Sequence, residues 1–148
     1  MNIHSIPQDN TAYRFPVSIK GVLVQENKVL LLKNERDEWE LPGGKLELGE
    51  EPPVCLKREI HEELNLAVAI GPILHSWIYT IAKGVHVLIV TYGCIPTHPI
   101  LNLTHSSEHK AVGFFDLKEV SAVNMPEGYK QSILAWTSGK IGRQYGVL

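Results

Sequence analysis

Within the short run Arg58 to Glu63 stand one arginine and three glutamates: Arg58, Glu59, Glu62 and Glu63. Such glutamates act together only if the backbone gathers them. A helix would, since at about 100° per residue Glu59, Glu62 and Glu63 share an arc of roughly 100°. Like charges so placed repel, at a cost of a few tenths of a kcal/mol per i,i+4 pair. A helix face that meets only water carries this cost harmlessly. A face that gathers a hard cation carries it for a reason, because magnesium prefers oxygen ligands from one or two carboxylates plus phosphates. Spacing alone leaves both readings open. Just upstream, Pro42-Gly43-Gly44 puts side-chain-free backbone beside the acidic face, where a carbonyl could meet a cation and a phosphate could approach closely. The same glycines could equally do no more than make a turn.

The elements that must position these groups follow from pattern. Pro52 to Leu64 reads as a helix, with prolines tolerated in its first turn and Leu56, Ile60 and Leu64 forming an apolar stripe beside the acidic arc. Val17 to Val24 and Lys28 to Lys33 are apolar runs separated by Gln25-Glu26-Asn27, a hairpin signal. Trp39-Glu40-Leu41 precedes Pro42-Gly43-Gly44, which is expected to end any strand and leave an open loop. Ala67 to Ala82 and Val85 to Ile95 read as two long strands turned at Lys83-Gly84, and Pro96 to Ser107 as a polar loop. Val112 to Asp116 reads as a short strand and Gly128 to Thr137 as a helix. Strands on both sides of one central helix, with another helix at the end, predict an α/β fold: a mixed sheet covered by helices.

The 148 residues fit one domain over 1–148, and 44% apolar with 20% charged residues is a globular balance. A net charge of −2 gives no basic footprint, so long nucleic acid is not the expected partner. Two distant cysteines, Cys55 and Cys94, make neither a disulfide framework nor a CxxC metal site, which fits a reducing cytoplasm. Met1 to Asn10 lacks the marks of a signal peptide. The uncharged stretch Leu66 to Ala82 contains Gly71, Pro72, His75 and Ser76 and is read as buried strand, not as a membrane span.

Taken whole, Gly44 to Leu66 resembles the Nudix box: glycine, five residues, glutamate, seven residues, then Arg-Glu-apolar-x-Glu-Glu-x-Gly-apolar. Gly44, Glu50, Arg58, Glu59, Ile60, Glu62, Glu63 and Leu66 stand in register. The departure is Asn65, where the family has glycine; asparagine tolerates the left-handed conformation that closes a helix, so the change bears on the cap and not on the carboxylates. The fixed Gly, Glu and Arg positions would coincide by accident in on the order of 1 in 100,000 chains of this length. Trp39-Glu40-Leu41-Pro42-Gly43-Gly44 and Val112-Gly113-Phe114-Phe115-Asp116-Leu117 are also similar to family members.

The resemblance implies a Nudix-type α/β/α sandwich and a magnesium-dependent hydrolase, manganese being a substitute, that cleaves a phosphoanhydride bond in a small nucleoside-diphosphate-linked substrate. It implies Glu59 and Glu63 as principal metal ligands, Glu62 direct or through water, and a carbonyl of Gly43 or Gly44 completing the shell. Glu50 and Arg58 resemble the family's supporting pair, the guanidinium orienting carboxylates by bidentate bonding. Glu108 stands where some members place a further catalytic or metal-binding glutamate. Cys55 is expected in the core and His61 in solvent, and the His105/His109 pair lacks a third zinc ligand. Tyr13, Phe15, Trp39 and Tyr79 are aromatics that could stack on a base. Ala82-Lys83-Gly84 lacks the proline or tyrosine that marks subfamilies for ADP-ribose or dinucleoside polyphosphates. The other reading is a Nudix-like nucleotide sensor with little turnover, which the intact glutamates disfavour. No membrane partner is expected, and a homodimer stays open.

Overall fold

The computed structural model describes residues 14–147. Strands β1 (Val17–Gln25) and β2 (Lys28–Lys33) are followed by β3 (Trp39–Glu40), β4 (Gly43–Lys45) and helix α1 (Pro52–Leu64). The long strands β5 (Val68–Ala82) and β6 (Val85–Pro96) come next, then β7 (Ala111–Asp116), a 3₁₀ helix over Leu117–Ala122, α2 (Glu127–Thr137) and α3 (Gly139–Gln144). Both turns expected from sequence close hairpins. Glu26 and Asn27, at φ 51° and 63°, form the two-residue turn between β1 and β2, whose left-handed backbone matches the twist of the flanking strands.

Seven strands form one mixed sheet in the order β3-β2-β1-β6-β5, with β4 also on β1 and β7 also on β2. The pairing of β1 with β6 is parallel from Val17 opposite Leu88 to Leu23 opposite Cys94, while the other pairings are antiparallel. Alternation along the central strands feeds two cores. Ile19, Leu23, Leu30 and Leu32 pack with Cys55, Leu56, Ile60 and Leu64 of α1. Val22, Val29 and Leu31 pack with Tyr129, Ile133 and Trp136 of α2. A sheet buried on both faces needs apolar residues at both parities, which is why these strands read as continuous apolar runs. The result is the expected α/β/α sandwich. Leu66 to Ala82 lies almost wholly in β5, and among the described residues no helix is long and apolar enough to cross a membrane.

One local expectation is corrected. Pro42-Gly43-Gly44 does not leave an open loop: Gly43 and Gly44 lie in β4, opposite Lys20 and Ile19 of β1. Gly43, at φ 136°, lies so close to β1 that a Cβ would stand 2.0 Å from the Ile19 carbonyl oxygen. Only glycine permits that approach, so the turn-like composition serves a tight strand pairing. Asn65 behaves as expected: at φ 54° and ψ 37° it caps α1, its N–H donating to the His61 carbonyl.

Gly93 of β6 supports the fully buried Trp136 ring, and a Cβ there would stand 2.5 Å from two ring carbons. Gly93→Ala is therefore expected to lower unfolding free energy by about 1–3 kcal/mol, read from urea denaturation. Unchanged stability would mean that Trp136 does not seat on that strand.

Candidate active site

Helix α1 presents the acidic arc because the apolar stripe beside it is anchored; Leu56, Ile60 and Leu64 are all buried. Arg58 organises what faces outward. Its Nε and Nη2 donate to the two Glu50 oxygens at 3.0 and 2.7 Å, a bidentate pair. Its Nη1 donates to Glu59 at 2.9 Å and to Glu62 at 3.3 Å. Nη2 also reaches the Lys45 carbonyl at 3.4 Å, tying the helix to β4. Bonding from Arg58 and from the Glu47 N–H pushes the Glu50 carboxyl down to about 2. Glu59 goes the other way. Burial raises it, Arg58 opposes, and the charges of Glu62 and Glu108 add to the rise.

Gly44 is what admits Glu59 to this position. A Cβ on Gly44 would stand 2.4 Å from the Glu59 carboxyl carbon. The Glu59 side chain is 18% exposed, whereas Glu62 is 62% exposed. A half-buried carboxylate, a backbone surface cleared by glycine and two more glutamates nearby make a donor set suited to a hard divalent cation. Among the described residues, no three His, Cys, Asp or Glu side chains form a ready-made metal cluster, and Arg58 serves as the shared counter-ion of Glu59 and Glu62.

Glu63 is placed differently. Only 5% exposed in its side chain, it accepts from the Ser106 N–H at 3.2 Å and from the Ser106 hydroxyl. Its Oε1 also lies 3.0 Å from His109 Nδ1, close enough for an ion pair but bent away from hydrogen-bond geometry. The other ring nitrogen, Nε2, meets Glu40 Oε1 at 2.7 Å. Glu40 is held in turn by Asn34 at 3.3 Å and Lys20 at 3.8 Å. Burial opposes ionisation of Glu40, yet Lys20, His109 and Asn34 together push its carboxyl down to about 2. For His109, burial favours the neutral ring but the carboxylates of Glu40 and Glu63 outweigh it and raise the pKa.

The structure therefore gathers Glu50, Arg58, Glu59 and Glu62 around one guanidinium and sets Glu63 in an adjoining buried network. Glu108 is exposed, with its N–H donating to the Ser106 hydroxyl at 3.3 Å, and its charge is felt at Glu59. Cys55 and Cys94 are buried, and desolvation pushes both thiols up to about 12, which makes them inert. His61 is exposed. His105 is exposed, its ring Nδ1 lying 2.8 Å from the Ser106 carbonyl oxygen. Trp39 has Phe115 and Lys33 against it, and Tyr79 packs on Trp77 while its hydroxyl donates to Glu38. Phe15 is 44% exposed and offers a ring to solvent, and Tyr13 lies outside the described residues. Sequence reading missed Lys20, Asn34, Glu40 and Ser106 as partners of this network. An isolated polar residue in a strand or loop carries no local signal of such a role.

A family model described as the NUDIX domain matches residues 14–136. The chain belongs to the Nudix family. As such it is a Nudix-type pyrophosphohydrolase, from a family that generally uses divalent metal ions and acts on small nucleotide-like compounds. It is 35% identical over 133 residues to a MutT-like protein of Streptomyces ambofaciens, covering 88% of this chain and 82% of that one. It is 36% identical over 53 residues to an 8-oxo-dGTP diphosphatase of Buchnera aphidicola subsp. Schizaphis graminum, covering 32% of this chain and 41% of the relative. Among solved structures, it is similar to a NUDIX hydrolase from Nitrosomonas europaea, with a TM-score of 0.72 at 21% identity, covering 86% of this chain and 91% of that one.

The depressed Glu40 carboxyl has a consequence for acid stability. A carboxyl at 4.5 in the unfolded chain and about 2 in the folded one stabilises the fold above the unfolded value, and that stability is lost as pH falls through the folded value. Glu40→Gln should remove this dependence, so the gap between wild type and variant narrows by on the order of 3 kcal/mol from pH 5 to pH 2. Urea unfolding across that range measures it. A gap that stays constant would show that Glu40 is not held as its contacts indicate.

Proposed function

We propose that this Nudix hydrolase cleaves a phosphoanhydride bond of a small nucleoside-diphosphate-linked substrate at the acidic face of α1, in the cytoplasm, with magnesium as the cation and manganese as its substitute. The observation that carries this reading is the Glu59 carboxylate seated against Gly44, with Glu62 beside it and the Glu108 charge within reach. So much negative charge around one guanidinium suits a site that binds a cation and, through it, a polyphosphate.

Glu59, Glu62 and Glu63 would hold the cation, with a carbonyl of Gly43 or Gly44 as a further ligand. When bound, such a cation lowers the pKa of water and offsets charge developing on phosphoryl oxygens. The chain's own residues do the rest. Arg58 and Glu50 fix the direction of Glu59, and Ser106 holds Glu63. Glu108, exposed at the rim, is the residue we assign to accept the proton of the attacking water. The Buchnera relative, an 8-oxo-dGTP diphosphatase, supports a nucleotide-like substrate. Oxidised nucleoside triphosphates and nucleotide sugars are the two classes to be separated.

The experiment is a panel of nucleoside triphosphates including oxidised ones, nucleotide sugars, ADP-ribose and dinucleoside polyphosphates, incubated with magnesium or with EDTA. Magnesium-dependent cleavage of one class is expected; nucleotide binding without cleavage of any would favour the sensor reading. On the cleaved substrate, Glu59→Gln should leave the unfolding midpoint unchanged and reduce turnover about 100-fold or more. Near-normal turnover at saturating magnesium would remove Glu59 from the mechanism.

A further inference from the structure

The buried chain of groups behind α1 is more elaborate than packing requires. Lys20, Glu40, His109, Glu63 and Ser106 come from β1, β3, the loop before β7, α1 and that same loop. The His109 side chain is 11% exposed, between Glu40 at 12% and Glu63 at 5%. Placing two carboxylates in an interior is costly unless each is met by charge or hydrogen bonds. Joining two core elements would need only apolar side chains. What an apolar contact cannot do is set the direction of a carboxylate.

We propose that His109 is a positioning residue of the active site: braced by Glu40, it orients the Glu63 carboxylate and holds the turn that carries Glu108. This rests on the reading that the α1 carboxylates bind the cation. The geometry supports both halves. Glu40 Oε1 fixes one side of the ring at 2.7 Å, and the opposite nitrogen faces Glu63 Oε1 at 3.0 Å. The His109 N–H returns to the Ser106 carbonyl at 3.4 Å, and the Ser106 N–H also donates to the Glu63 carbonyl at 3.0 Å. These backbone bonds hold the turn from Ser106 to His109 at the end of α1, and the bond of the His109 ring to Glu40 ties the turn's far end to β3, with Glu108 inside it. Carboxylates that bind metals are themselves oriented by outer partners, for Glu63 the ion-pair contact from His109 and the Ser106 hydrogen bonds, and losing such a partner costs about 10- to 100-fold in metal affinity or activity.

The test compares wild type with His109→Ala, His109→Asn, His109→Gln and, as a control on the underlying reading, Glu59→Gln. Two readouts are used: Mn2+ affinity of the protein alone, titrated by electron paramagnetic resonance, and kcat and KM on the best substrate. The asparagine amide nitrogen stands near the place of Nδ1 and can reach Glu63, whereas glutamine extends toward Glu40. We expect His109→Ala to weaken Mn2+ binding 10- to 100-fold and to lower kcat more than it raises KM, with His109→Asn recovering part of the affinity and His109→Gln less. Should the alanine variant fail to fold, the asparagine and glutamine variants carry the comparison. Wild-type Mn2+ affinity in every folded His109 variant, with affinity lost in Glu59→Gln, would overturn the positioning role and leave the site assignment standing. Wild-type affinity in Glu59→Gln as well would overturn both.

Discussion

Four carboxylates, those of Glu47, Glu50, Glu59 and Glu62, lie within 4 Å of the Arg58 guanidinium, while Leu56, Ile60 and Leu64 of the same helix are buried. This crowding of one sign of charge is sustainable because α1 is anchored elsewhere. Each fully buried Leu or Ile contributes roughly 1.5–3 kcal/mol, while each repelling i,i+4 pair costs only a few tenths. Leu56, Ile60 and Leu64 therefore outweigh the repulsion by a wide margin, and the acidic face can be kept for chemistry.

The sheet converts this anchored helix into a site. Strand β1 pairs with β2, β4 and β6, so the backbone that seats Gly43 and Gly44 lies against a strand with three partners. The Gly44 surface that admits Glu59 is a strand held in register, not a loop. A site built on strand and helix keeps its donors in place without spending ligand binding energy on ordering them. The loop before β7 is brought to the same region from 43 positions beyond Glu63, by Ser106 and His109 on one side and by the Lys110 N–H bonding to the Lys33 carbonyl on the other.

Local grammar made much of this legible. The α1 span, the two hairpin turns, the buried stripe and the left-handed Asn65 cap all follow from interactions between residues a few positions apart. The parallel pairing of β1 with β6 does not, because a register between strands about 70 residues apart is decided by the packing of both faces. Nor was β4 legible: Gly43 and Gly44 look like a turn until the approach of β1 explains why no side chain fits. The Glu40–His109 contact joins positions 69 residues apart, and the residues involved look like ordinary solvated polar side chains in sequence. The acidic helix face could be read directly; the buried network that braces Glu63 could not.

The central claim is that the cation sits at the Glu59 side of α1, against β4. Crystals soaked in Mn2+ and measured for anomalous scattering test this most directly. The account predicts an anomalous peak within coordination distance of the Glu59 carboxylate. A fully occupied peak elsewhere on the protein, with none beside Glu59, would contradict it.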